Sequence, residues 1–354
     1  MKRFEIFPNT KLAYDSMIGD IENSKKSVYI ETYIYGNDEV GKRFREALIK
    51  KAIHGIKVLI LIDAWGAKKG NLDKEFFSKL TEAGGEVRFF KNLSSYLYKL
   101  TGQNHEIDHR KLLLIDGDIT YTGSANITHE CLNWRELVIK LEGEITLDFT
   151  KSFLNQWNRC EKISKKIIKK IIYEGFEIIL DVPEPGYTPI ENKYVKLIKK
   201  SKKEILIETP YFVPPIKIRK ELYKAVKRGV KVKIIMPQFS DHKVINIIKN
   251  RYLGTLYRHG IELYDYTSSM IHSKLLLVDD KFFLLGSSNL DYRSFIHQYE
   301  INLFGKDQKM IAELKKFFNH DLGKCKPFDY NFWKKRSSIK KIFEMLVSIV
   351  ERYL

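Results

Sequence analysis

The chain has 354 residues, 44% of them apolar, and a formal net charge of +18 from 62 Lys and Arg against 44 Asp and Glu. This excludes a disordered chain and predicts a globular protein of two domains or two halves, whose basic excess fits a polyanionic partner or a solvated Lys-rich surface. Cys131, Cys160 and Cys325 are too scattered for a disulfide framework or a zinc site, and no run reaches the ~18 apolar residues of a membrane span. The opening MKRFEIFPNT is broken by Glu5, Pro8 and Asn9 and makes a poor signal peptide. A cytoplasmic location is expected, with any membrane contact made at the surface.

In chain order, ENSKKSVYIETY (22–33) reads as a basic helix end and then a strand closing on Glu31-Thr32. A helical segment follows, then the strand GIKVLILID (55–63), more helix, and EVRFF (86–90). The segment NLSSYLYKLTGQ (92–103) precedes HRKLLLIDG (109–117), after which come GSAN (123–126) and Glu136. The same plan then repeats: KKSKKEILIETP (199–210), GVKVKIIMP (229–237), IELYDY (261–266), HSKLLLVDD (272–280), GSSN (286–289) and Glu300. Alternating strands and helices in two copies predict an α/β protein of two similar halves, each a mixed sheet flanked by helices. The expected units are 1–165, 166–330 and an amphipathic helix over 331–354. The join at about 161–190, with KISKKIIKKII and the proline-rich VPEPGYTP, reads as a solvated helix and a linker. In SSIKKIFEMLVSIVERYL (337–354), Ile339, Ile342, Phe343, Leu346, Val347, Val350, Tyr353 and Leu354 recur at helical spacing. That stripe fits either a membrane interface or packing against the second half.

The chemistry lies in the repeated motif. Residues two apart in a strand share a face, so His109 and Lys111 point together, as do His272 and Lys274. A turn after each motif returns the GSxN segment to the same place. Lys111, Lys274, Asn126 and Asn289 together suit the non-bridging oxygens of a phosphate diester, and no metal or other cofactor is called for. Two histidines fit a covalent mechanism in which a neutral imidazole attacks phosphorus and a protonated one donates to the leaving oxygen. Glu136 and Glu300 follow the motif histidines at nearly equal distance, as carboxylates suited to fixing a tautomer.

These residues resemble the paired HKD motifs of the phospholipase D superfamily, over nearly the whole chain. The resemblance implies two phospholipase D-like halves about a pseudo-twofold axis, sharing one active site. It assigns His109 and His272 as nucleophile and general acid/base, and Lys111, Lys274, Asn126 and Asn289 as phosphate ligands. Ser124 and Ser287 become supporting hydrogen bonders, Glu136 and Glu300 orient the histidines, and Asp116 and Asp279 brace the strands. TPYFVPP (209–215), Ser240-Asp241 and GSSNLDYRS (286–294) leading to YEINL are similar to bacterial cardiolipin synthases, including shorter members without N-terminal transmembrane helices. The implied reaction moves a phosphatidyl group through a phosphohistidine to phosphatidylglycerol, releasing glycerol. The partners implied are an anionic phospholipid and the inner face of the cell membrane, with nucleic acid second. The alternatives are a phosphodiesterase hydrolysing phospholipid or nucleic acid, and a non-catalytic polyanion-binding module, against which two unbroken motifs argue. One chain with two motifs suffices for one site, and the oligomeric state stays open. Tyr211, Phe212 and the aromatics of 92–103 suit a lipid cleft or a core equally. His105, His129 and His297 read as ordinary polar residues.

Overall fold

The computed structural model describes residues 1–354 apart from 74, 91–105, 161–169, 185, 349–350 and 352–354. The segment 92–103 therefore lies outside the described residues. The first half supplies β1 (Arg3–Ile6), β2 (Ser27–Thr32), β3 (Lys57–Asp63), β4 (Glu86–Phe90), β5 (Ile107–Asp108), β6 (Leu112–Ile115), β7 (Ile119–Gly123) and β8 (Val138–Glu142). Seven of them form a mixed sheet in the order β1-β8-β7-β6-β2-β3-β4, parallel only between β2, β3 and β4.

The second half supplies β9 (Lys170–Tyr173), β10 (Phe176–Asp181), β11 (Glu204–Glu208), β12 (Lys231–Pro237), β13 (Glu262–Tyr266), β14 (Leu275–Val278), β15 (Phe282–Gly286), β16 (Gln298–Gly305) and β17 (Cys325–Pro327). The run β10-β16-β15-β14-β11-β12-β13 repeats the order of the first sheet, with β9 and β17 added at its two edges. The two halves are thus one plan used twice, as the repeat predicts. β5 leaves its own sheet and pairs in parallel with β16, matching Ile107 to Gln298 and Asp108 to Tyr299.

Strand sequences without polar alternation arise because both faces of each sheet are covered. In β3, Val58, Ile60 and Ile62 face the helices Thr10–Asn23 and Glu39–Ile53, while Leu59 and Leu61 face the opposite way. The helix Glu39–Ile53 starts where the Asp38 carboxylate accepts the Gly41 N–H at 2.9 Å, and Glu39 near its start and Lys50 and Lys51 near its end suit the helix dipole. Leu206, Leu275 and Leu277 of the second sheet meet Leu59 and Leu61 in one shared core, together with the helices Ile145–Cys160 and Gln308–Leu322. The remaining faces of the second sheet are covered by Pro189–Lys200, Ile216–Lys227 and Lys243–Arg258.

Two local expectations are corrected. The stretch 170–181 is a β-hairpin, not a solvated helix running into a linker. Glu174 and Gly175 turn it at φ 41° and 87°, and Phe176, Ile178, Ile179 and Leu180 are buried against β16. The physical cause is the alternation in FEIILD, whose burial in a sheet outweighs the helical look of the lysine run before it. The second correction concerns the motif: His109 and Lys111 precede β6, and His272 and Lys274 precede β14, so each pair sits on the irregular segment entering the strand.

The helix Ser338–Val347 lies on Lys243–Arg258. Its inward side is largely polar: Arg336 pairs with Glu344 at 2.9 Å, Arg251 donates to Ser348, and Tyr252 donates to Glu351. Val347 is the apolar member of that contact, against Ile245 and Ile248. Ile339, Ile342, Phe343, Met345 and Leu346 face outward, all more than half exposed. Val350, Tyr353 and Leu354 lie outside the described residues. Among the described residues no helix is long and apolar enough to cross a membrane.

Candidate active site

The two motifs meet at the seam between the sheets. Because β5 runs alongside β16, the His109 N–H donates to the Tyr299 carbonyl at 3.0 Å, and Glu300 is the next residue. The mirror arrangement holds on the other side, where the His272 N–H donates to the Arg135 carbonyl at 2.8 Å, beside Glu136. Each half therefore carries the glutamate that serves the other half's histidine. His109 Nδ1 lies 3.0 Å from Glu300 Oε1, and His272 Nδ1 lies 2.8 and 2.9 Å from the Glu136 oxygens. With Nδ1 so engaged, Nε2 of each ring is the nitrogen left for chemistry.

The GSxN segments hold those carboxylates. Ser124 Oγ donates to Glu136 and accepts the Leu137 N–H at 2.8 Å, while Ser287 Oγ donates to Glu300 and accepts the Ile301 N–H at 2.9 Å. Gly123 and Gly286 have φ of 142° and 154°, and an added Cβ would come within 2.1 Å of the Leu137 carbonyl oxygen and 2.3 Å of that of Ile301. Only glycine permits this approach. Lys111 Nζ and Lys274 Nζ turn back to the carbonyls of His109 and His272, at 2.6 and 2.7 Å. Asn126 Oδ1 accepts the Ile34 N–H at 3.2 Å, which leaves its amide nitrogen as a donor; Asn289 Oδ1 is buried without a partner.

The aspartates stand apart from this cluster. Asp116 accepts the N–H groups of Lys25, Lys26 and Ser27 at 2.7–2.9 Å, and Asp279 those of Lys202, Lys203 and Glu204 at 2.7–3.0 Å. Each ties the end of its motif strand to the start of the neighbouring strand. The halves are also joined by Arg135, whose Nε donates to both oxygens of the buried Asp321 at 2.7 and 2.8 Å. Removing one member of such a buried pair typically costs about 3–5 kcal/mol.

Burial dominates the electrostatics. It pushes His109 well below the ordinary histidine value, helped by the charges of Lys111 and Lys274, and it lowers His272 less because Glu136 opposes it. Burial also lowers Lys111 to about 8 and Lys274 to about 7. The glutamates diverge. Burial raises Glu300 to about 8, whereas for Glu136 burial is outweighed by the charge and hydrogen bond of His272 and by Lys274, which hold it at about 2.

Both histidines and both asparagines open onto a cavity of about 300 Å³. Tyr33 meets the His109 ring edge-on at 5.2 Å and Trp134 lies 5.0 Å from the His272 ring. Tyr211 lines the cavity and donates to Asp241 at 2.7 Å, whereas Phe212 is fully buried core. Lys69, His242 and Arg293 also line the cavity; Arg293 lies in the quoted GSSNLDYRS segment without a role assigned to it, whereas Lys69 and His242 belong to no motif. His129 lies elsewhere, 2.6 Å from Glu39. Among the described residues no group of three or more His, Cys, Asp or Glu converges to hold a metal ion.

Comparison with known proteins agrees with this geometry. The profile of the family described as "Cardiolipin synthase, PLD-like domain" matches residues 17–157 and 194–322, one segment in each half. The major cardiolipin synthase ClsA of Bacillus subtilis is 32% identical over 338 residues, covering 91% of this chain and 69% of that protein. A cardiolipin synthase of Clostridium perfringens is 30% identical over 367 residues, covering 98% and 76%. Among solved structures, the phosphatidylserine synthase of Haemophilus influenzae Rd KW20 has the same fold, with a TM-score of 0.80 over 100% of this chain and 96% of that one at 16% identity. Two HKD motifs folded into one cleft, within a sequence matched across both halves, place the chain in the cardiolipin synthase family of phospholipase D-like phosphatidyltransferases.

Proposed function

We propose that this enzyme transfers a phosphatidyl group from one phosphatidylglycerol to another, giving cardiolipin and glycerol. The observation that carries this reading is the pair of buried histidines facing one cavity, each held through Nδ1 by the other half's glutamate. His109 is the nucleophile, because its imidazole is the more strongly held neutral. His272, backed by an ionised Glu136, is the one able to carry the proton. In the first step His109 Nε2 forms a bond to phosphorus, the bond to the glycerol oxygen breaks, and His272 gives that oxygen its proton. In the second, the acceptor hydroxyl gives its proton to His272 while its oxygen bonds phosphorus and the phosphorus–nitrogen bond breaks. Lys111, Lys274, Asn126 and Asn289 bind the non-bridging oxygens throughout.

The enzyme works from the inner face of the cell membrane, with the outward apolar side of Ser338–Val347 in the lipid interface. Supporting this are the exposed Ile339, Ile342, Phe343, Met345 and Leu346, with the exposed Lys334, Lys335, Lys340 and Lys341 beside them to meet anionic headgroups.

The test is incubation with phosphatidylglycerol vesicles and mass analysis of the lipids, with and without EDTA. Cardiolipin formed equally in both supports the reading. Phosphatidic acid alone identifies a hydrolase, and a metal-reversible loss in EDTA contradicts the phosphate site described.

A further inference from the structure

Beyond the reactive cage, three more cations line the cavity, Lys69, Arg293 and the exposed Lys243. Lys69 ends the short helix Ala64–Lys69, and its Nζ lies 5.4 Å from the centre of the Tyr33 ring. Lys111 Nζ lies 5.5 Å from the same ring, and that ring abuts His109. The ammonium of the reactive cage and that of Lys69 thus both lie against one tyrosine ring. Arg293 approaches from the second half, on the helix Tyr292–His297 that follows GSSN. Its charge is close enough to lower the pKa of Lys69, and it also bears on His109 and His242.

Neither Lys69 nor Arg293 is neutralised in a direct ion pair among the described residues, and Arg293 Nε is buried without a hydrogen-bond partner. The nearby carboxylates are occupied. Asp241 accepts from the Tyr211 hydroxyl, with His242 at 3.5 Å. Asp63 accepts the N–H groups of Trp65, Gly66 and Asp108, and Asp291 that of Ser294. The charges of Asp241, Glu130 and Asp63 still act on Lys69, that of Asp241 more strongly than Arg293 opposes it. Lys69 is exposed and Arg293 half-buried, so an anion entering the cleft can reach both and relieve their mutual repulsion.

We propose that Lys69 and Arg293 form a second phosphate subsite, which holds the phosphodiester of the acceptor lipid while its terminal glycerol hydroxyl reaches the phosphorus between His109 and His272. This rests on the transferase reading above. The product of that reaction carries two phosphates joined by one glycerol, and the site offers two cationic groups that adjoin the same tyrosine ring. The subsite makes the enzyme prefer an acceptor that already bears a phosphate over water or a simple alcohol.

The experiment compares two acceptors in wild type, Lys69→Ala, Arg293→Gln and the charge-preserving Lys69→Arg. One acceptor is phosphatidylglycerol and the other is 1-butanol, which has no phosphate; the donor lipid is the same in both. The ratio of transfer to phosphatidylglycerol over transfer to butanol is expected to fall about 10- to 100-fold in Lys69→Ala and Arg293→Gln, with partial recovery in Lys69→Arg. An unchanged ratio, with both rates falling together, overturns the subsite while leaving the transferase reading intact. Should the wild type hydrolyse without transferring, the transferase reading itself fails. Inhibition of hydrolysis by sn-glycerol 3-phosphate then decides the subsite: at least tenfold weaker in Lys69→Ala upholds it, and equal inhibition overturns it.

Discussion

In the first half, Ser124, itself held by the Leu137 N–H, donates to the carboxylate that serves His272; in the second, Ser287, held by the Ile301 N–H, does the same for the one that serves His109. The bond lengths nearly coincide, but the surroundings do not. Burial raises both, but the charge and hydrogen bond of His272 together with Lys274 outweigh it at Glu136, whereas at Glu300 Lys111 and the serine hydroxyls offset it only in part and Asp291 adds to it. One carboxyl is thereby pushed toward the neutral form and the other is kept charged. A repeat can preserve geometry while divergence of a few neighbours splits the chemical roles, since a shared covalent step needs two histidines in opposite protonation states.

The largest effect should come from the histidines themselves. His109→Ala and His272→Ala are each expected to lower turnover by at least about 10²–10⁴. Acid-free quenching and peptide mass spectrometry of the reacting wild type should find the phosphorylated imidazole at His109. A phosphohistidine at His272 would reverse the assigned roles.

The glutamates test the asymmetry directly. Glu136→Gln should cost about 100-fold in kcat and Glu300→Gln about 10-fold or less, because only the first removes a charge that stabilises an imidazolium. Equal losses would mean that the two halves are electrostatically equivalent once substrate is bound.

A smaller effect should appear in the pH profile. Lys274 at about 7 and Lys111 at about 8 bind phosphate as cations, so the cage loses charge as pH rises through these values. Accordingly kcat/KM should decline above neutral pH, approaching about tenfold per unit once a needed proton is gone. A profile flat to pH 9 would show that the lysines stay charged in the free enzyme.

The aspartates should behave alike, in contrast with the glutamates. Asp116→Asn and Asp279→Asn each weaken a three-fold N–H brace, and each should cost about 1–3 kcal/mol in denaturant unfolding. A large difference between them would mean that the sheets are not equally dependent on their motif strands. The smallest effect on chemistry should come from Ile342→Glu with Phe343→Glu, which should weaken flotation with anionic vesicles while leaving hydrolysis of a soluble phosphodiester intact. Unaltered flotation would place the membrane contact elsewhere.

Much of this is legible in the sequence alone. The repeated strand pattern, the HxK pairs, the GSxN segments and the spaced glutamates are local features, set by short-range periodicity and by residue chemistry that one chain segment carries alone. The hairpin 170–181 is not legible there, because the lysine-rich stretch before it resembles a solvated helix and only β16 beside it favours the strand. Lys69 and Trp134 lie outside every quoted segment, and Tyr33 and Arg293 lie inside quoted segments but off the His-x-Lys and GSxN positions, so no spacing rule gives any of them a role. The crossed pairing of His109 with Glu300 and of His272 with Glu136 also has no signature in either half. The first follows from β5 leaving its own sheet for β16, a contact between residues 191 positions apart, and the second from the bridge between Arg135 and Ile271. By itself the sequence determined which groups the site contains, because identity and periodicity are properties of the chain. The tertiary structure alone decided which group serves which, and which of two matching carboxyls stays charged, because burial and the Coulomb field depend on neighbours brought together only by folding.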